Sequence, residues 1–259
     1  MSITRYTPQL GQAFKLPIQQ PVAFLRIAAP WLVLSLASAF VAGRAPSLAF
    51  LMGAVALGGF GFHWQRFVGG DQATPLSLTS RLVRLVLWVV AYQSLLGFEL
   101  VAQILMGSLL AGQENAEVMV KAGAQIFQIL IGCLFLMLPH LAMATRAEIV
   151  GTRLQEMVLA AGVAVGFGYV LGYLPFMVLS DMARDGFVRY APDMALAAAV
   201  TDRFIHFLSM VVSTGFFALV WVQLRASAPI TGAALAPEAD KEPKERRTTR
   251  ITRASKARR

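Results

Sequence analysis

Apolar residues gather along this chain in long blocks separated by short charged stretches. The block that dominates is Leu82–Ala111, LVRLVLWVVAYQSLLGFELVAQILMGSLLA. At about 1.5 Å of rise per residue, a helix needs roughly 20 apolar residues to cross a hydrocarbon layer about 30 Å thick. This block exceeds that length and can tilt or protrude. Five more blocks predict further spans: Val22–Gly43, Ser47–Phe62 running on into His63 and Trp64, Ala124–Thr145, Val158–Leu179 and Phe204–Leu224. The other spanning solution, a closed barrel, would alternate apolar and polar residues over strands of about ten residues, and no such alternation is present. The pattern therefore predicts an all-α polytopic integral membrane protein with six transmembrane helices.

Breakers and caps refine the prediction. Thr7 and Pro8 form a helix start. Leu10, Ala13 and Phe14 share one face of the segment that follows, so residues 1–21 are read as a cytoplasmic N-terminus with a short interfacial helix, punctuated by Pro17 and Pro21. A signal-peptide reading of the first span is set aside because no compact basic cluster precedes it. Trp64 suits the aromatic belt. Pro139 should kink the fourth span and Pro175 bend the fifth. Residues Arg146 to Glu156 read as a helical extension. Gly162 with Gly166, and Gly168 with Gly172, have the spacing that lets helices approach. From Ser180 to Arg203 the chain reads as a polar connection carrying a short surface helix, MALAAAV. Residues 22–225 then form the transmembrane domain and 226–259 a disordered basic cytoplasmic tail.

Composition agrees with a membrane protein: of 259 residues, 57% are hydrophobic and 14% charged, with a net charge of +9. The placement of charge matters more than its sum. Six spans put both termini on one side, and that side carries 18 of the 23 Lys and Arg residues, the other side 5. Positive charge retained inside predicts cytoplasmic termini in a bacterial inner membrane. Nine of those basic residues lie from Lys241 onward. Each can contribute roughly 1 kcal/mol toward anionic lipid headgroups. Having no aromatic residue on which bases could stack, KEPKERRTTRITRASKARR points to lipid rather than nucleic acid. The single cysteine, Cys133, excludes an intramolecular disulfide.

Candidate chemistry is sparse. Tyr92, Glu99 and Gln103 fall within about 40° of arc on the third span, and a carboxylate at that depth costs about 2.5 to 3.5 kcal/mol. It should face a bundle interior or a wet cavity, or else stay protonated. His140 is a further intramembrane candidate. At the cytoplasmic end of the second span, Trp64, Arg66, Gly70 and Asp71 form a turn in which Arg66 and Asp71 can pair with each other or with lipid phosphate. Phosphate-loop, zincin and nucleophile-elbow motifs are absent from the sequence, so no catalytic, cofactor-binding or metal-ligating residues are assigned and no cofactor is expected. These features predict a non-enzymatic protein with a structural, accessory or assembly role, alone, as a homo-oligomer or with another membrane protein. The rival class is a small-solute or proton-coupled transporter built on the stripe around Glu99.

The segment HWQRFVGGD, His63–Asp71, resembles a W-x-R-F-x-x-G-[DE] turn of uncharacterised multi-pass inner-membrane proteins of alphaproteobacteria, matched by Trp64, Arg66, Phe67, Gly70 and Asp71. GQAFKL, Gly11–Leu16, is similar to their N-terminal interfacial helix, and Leu138 with Pro139 to a leucine-proline pair in their fourth span. Their layout is similar to the membrane domain beside some glycerophosphodiester phosphodiesterases. The resemblance implies a membrane fold and no known reaction.

Overall fold

A computed structural model describes residues 4–191 and 193–227. The chain divides into two units, Met1–Arg225 and Ala226–Arg259. The spans belong to the first, apart from the last two residues of the sixth. The predicted disordered tail, beyond Ser227, lies outside the described residues.

Among the described residues the fold is all helix. The elements are α1 (Thr7–Gln19), α2 (Pro21–Ala42), α3 (Pro46–Gly69), α4 (Leu78–Leu109), α5 (Ala116–Ile131), α6 (Met137–Met143), α7 (Arg146–Val150), α8 (Arg153–Tyr190) and α9 (Ala195–Ser227). Short 3-10 turns at Gly70–Gln72 and Gly132–Leu136 join them. Six helical segments are long and apolar enough to cross a membrane: Pro21–Ala42, Pro46–Gln72, Leu78–Leu109, Val118–Met143, Arg153–Tyr190 and Ala195–Ser227. The protein is a six-span helical membrane protein by that measure.

Lipid tails are as apolar as leucine, so helices in a bilayer associate through close packing and hydrogen bonds rather than by hiding from water. Small residues make that packing possible here. A Cβ at Gly59 would run into Trp31 of α2, one at Gly61 into Trp88 of α4, and one at Gly168 into Phe216 of α9. At Gly132 and Gly166 the fourth and fifth spans meet backbone to backbone. The long helix α9 runs through the middle. Its Phe207 meets Phe60 of α3 at 4.8 Å, and its Phe217 stacks on Phe135 at 5.4 Å and meets Tyr169 of α8 at 5.3 Å. By contrast α4 buries only Trp88, Ala91 and Leu95.

Several sequence expectations change. The N-terminal helix packs one face into the bundle: Tyr6, Leu10 and Ala13 are buried in the core, Leu10 abuts Gly172, and Phe14 stacks on Phe176 at 6.1 Å. Pro17 sits inside this helix rather than ending it. Trp64 is not a belt residue but fully buried, its indole N–H donating to the Val211 carbonyl at 3.2 Å, where Gly215 leaves room for the ring. The polar connection at Ser180–Arg203 is mostly helix, because α8 continues to Tyr190 and MALAAAV forms the start of α9. Arg146 to Glu156 is two helices, parted at Gly151 and Thr152. In the fourth span the helix tightens over Gly132–Leu136, the turn before Pro139. That is where a proline ring displaces the carbonyl four residues earlier, here that of Phe135. In α8 the helix breaks at Gly162 (φ 54°, ψ −157°), and Pro175 lies within it. That backbone conformation belongs almost solely to glycine.

Candidate functional site

Two polar regions lie at different levels of the bundle. Arg84 belongs to the first and Glu99 to the second; both are on α4, 15 residues or about 22 Å of helix apart.

The first is a clamp around the end of the fourth span. The last carbonyls of any helix lack intrahelical donors, and at α6 they are supplied from elsewhere. Arg66 donates to Ala142 O at 2.6 Å and to Thr74 O at 2.7 Å. Arg84 donates to Ala144 O at 2.6 Å and Leu141 O at 3.4 Å, and the Thr74 N–H donates to Met143 O at 3.0 Å. Two positive charges at a helix C-terminus also complement its dipole. Next to them Thr145 and Glu148 form a reciprocal capping box that starts α7. Arg225 pairs with Glu148 at 3.0 Å, donates to Gln72 O at 2.6 Å and lies over the Trp221 ring. Burial raises the proton affinity of the Glu148 carboxyl, but the hydrogen bonds at Thr145 and the charge of Arg225 outweigh it, holding the group below the ordinary carboxylate range. His140 belongs to this clamp. The Trp221 indole can only donate, so its approach to Nδ1 at 3.4 Å leaves the ring proton on Nε2, which donates to the Glu148 carbonyl at 3.1 Å.

The second region is a cavity of 220 Å³ between α3, α4, α8 and α9, with Glu99, Tyr92, Tyr169, Tyr173, Arg203 and His206 among its lining residues. Phe135, Leu138 and Phe217 also line it. Glu99 Oε1 accepts from the Gln103 amide at 3.2 Å, and Gln128 of α5 is a second hydrogen-bond partner. Trp88 holds the Tyr92 wall by stacking on it at 5.4 Å while donating to Gln65 Oε1 at 2.8 Å. The cavity has polar continuations. One reaches Gln103, Gln125 and Lys121, and another reaches Ser180, Asp181 and Asp202.

No family model, curated protein or solved structure matches this chain. The site therefore has to be read from its own chemistry.

Of the sequence candidates, Tyr92, Glu99 and Gln103 do converge, the first two on the cavity itself and Gln103 on Glu99. His140 does not join them: it is two residues beyond cavity-lining Leu138 but bonded into the clamp. In the turn, Arg66 is committed to two carbonyls instead of Asp71, and Asp71 is exposed. Gly70 takes φ 48°, a conformation that favours glycine. Trp64 is core. His63 is also separate, accepting or donating within its own helix at Gly59 O (2.7 Å) and stacking on Trp31. Sequence reasoning missed Arg203, His206, Tyr169 and Tyr173 as cavity residues, and Arg84 and Arg225 as clamp residues. A signal was present for Arg203 and His206, which stand one helical turn apart at the start of an otherwise apolar span. Among the described residues no group of three or more His, Cys, Asp or Glu side chains is arranged to hold a metal ion.

Proposed function

We propose that this protein binds a small polar solute in the cavity around Glu99 and acts as a small-solute or proton-coupled transporter of a bacterial inner membrane, without being an enzyme. The observation that carries this reading is the placement of Glu99: it lines a cavity together with a histidine, an arginine and three tyrosines, and is steadied by Gln103 and Gln128. Ionisable groups inside spans are costly and characteristically mark substrate or ion pathways. The excess of basic residues on the side of the termini supports a cytoplasmic location for both ends. With that orientation the clamp faces the cytoplasm and the cavity occupies the outer half of the bundle.

The test uses inner-membrane vesicles containing the full chain, incubated with a uniformly ¹³C-labelled metabolite mixture and analysed by mass spectrometry. Wild-type vesicles should accumulate or release at least one solute relative to empty vesicles, and Glu99→Gln, at equal amounts of folded protein, should not. Identical profiles for wild type, Glu99→Gln and empty vesicles would reject the reading.

A structural or accessory role is the second reading. It is favoured by α4, which buries only Trp88, Ala91 and Leu95 of its 32 residues and so presents a surface open to another membrane protein or a second copy. Purification from native membranes in mild detergent would decide for it if a stoichiometric companion stays bound and the vesicle profiles are flat. Anionic headgroups remain the partners proposed for the basic cytoplasmic surface.

A further inference from the structure

Most charged side chains around the cavity and its continuations are paired with one another. Asp181 meets Arg184 at 3.1 Å and Lys121 at 3.9 Å. Asp202 accepts from the Ser180 hydroxyl at 2.8 Å and faces the His206 ring at 3.6 Å. Two charges are left over. Glu99 is held by neutral amides, and among the described residues no cation lies within ion-pair distance of it. Arg203 reaches toward α3, where its Nη1 lies 3.7 Å from the position a Cβ on Gly53 would take; the neighbouring Asp202 carboxylate feels its charge, but among the described residues the guanidinium makes no hydrogen bond or ion pair. Both side chains line the same cavity.

Resting on the reading of this cavity as a solute site, we propose that its occupant is a small zwitterion, a molecule whose carboxylate is held by Arg203 and whose ammonium group is held by Glu99. The alternatives each leave a charge unsatisfied. A simple anion would pair with Arg203 but sit in a weakly screened cavity with the like charge of Glu99. A simple cation would do the reverse, and a neutral polyol would leave Glu99 without a counter-charge. A zwitterion meets both at once and adds no net charge to the membrane interior. The walls suit the same ligand: Tyr92, Tyr169 and Tyr173 offer aromatic faces, which attract ammonium groups. The size suits it as well, since a cavity of 220 Å³ admits a metabolite of amino-acid size.

The test is equilibrium binding to the full chain in lipid nanodiscs. The probes are ¹⁴C-labelled glycine, β-alanine, γ-aminobutyrate, 5-aminovalerate and glycine betaine, with propionate and propylamine as half-molecules. At least one zwitterion should bind saturably, with both half-molecules at least about tenfold weaker. Glu99→Gln and Arg203→Gln should each weaken it roughly 10- to 100-fold, and Glu99→Gln should bind propionate better than wild type does, because the like charge is gone. Should either variant fail to fold, Glu99→Asp and Arg203→Lys keep the charges but retract them, and the preferred spacer should move toward the longer members of the series. An unchanged spacer preference, or no saturable binding of any zwitterion, would overturn the proposal. Propionate or propylamine binding as tightly as the zwitterions would overturn it while leaving the cavity a solute site; flat vesicle profiles would remove the solute site itself.

Discussion

Replacing Gly166 by alanine should loosen the bundle at its tightest contact. A Cβ built there would run into the carbonyl oxygen of Ile129 and lie 2.6 Å from its carbonyl carbon and 2.8 Å from its Cα. Carbon atoms in contact prefer about 3.5–4.0 Å, so α5 and α8 must separate by roughly 1 Å. A gap of that size forfeits a quarter to a half of the attraction of each atom pair across it. Adding a methyl to a packed core costs about 1–3 kcal/mol. Here the obstacle is backbone, which has no rotamer by which to step aside, so the cost belongs at the upper end. For a chain of this size that is a fall in unfolding temperature of roughly 6–12 °C. The assay is thermal unfolding in detergent followed by fluorescence-detected size exclusion. Gly107→Ala, whose Cβ would meet nothing within 4 Å, is the control and should be neutral or stabilising by up to about 1 kcal/mol. If Gly166→Ala unfolds within about 2 °C of wild type while Gly107→Ala behaves the same way, the backbone contact between the two spans is not as described.

Glu148 gives a pH signature. Its folded-state proton affinity is depressed, so its contribution is full above the ordinary carboxylate range and is lost as pH falls through the lowered folded value. Glu148→Gln should therefore be about 1–2 kcal/mol less stable at pH 7, and the gap to wild type should close in acid thermal melts; a constant gap would contradict the Arg225 pairing. Arg66→Lys, offering one ammonium to two carbonyls, should cost about 1.5–3 kcal/mol, whereas Asp71→Asn should stay within about 0.5 kcal/mol, both read by the same melts. Gly162→Ala should cost about 1–3 kcal/mol from backbone strain alone, since its Cβ would meet nothing within 4 Å. A neutral result there would argue against the positive φ.

The spans were legible because lipid imposes a length and composition that few soluble helices share. Their ends were not. The second span reads as ending near Trp64 because His63, Gln65 and Arg66 look like an exit into water, yet the helix runs on to Gly69 with Gln65 fully buried against Trp88. Gln65 is answered by Trp88, 23 residues on, and Arg66 by the Ala142 carbonyl, 76 residues on, which no local window contains. In Ser180–Arg203 the Ser180 hydroxyl of α8 donates to Asp202 of α9, 22 residues on, while Asp181 with Arg184 and Asp202 with His206 pair within their own helices. Within the site, the stripe of Tyr92, Glu99 and Gln103 was readable from helical periodicity alone. Arg203 and His206 join it only through packing between helices distant in sequence, and His140 was drawn the other way by Trp221, 81 residues on.

The clamp around α6 also constrains the order in which the protein can be built. Arg66 and Arg84 leave the ribosome 76 and 60 residues ahead of the carbonyls of Ala142 and Ala144 that they serve. At about 5–20 residues per second, those guanidinium groups wait roughly 3–15 s for their acceptors, and Glu148 then waits through 77 more residues for Arg225. Until the last helix is delivered by the translocon, the clamp end of the nascent bundle must lean on water, headgroups or an insertion chaperone for the hydrogen bonds it will later make to itself.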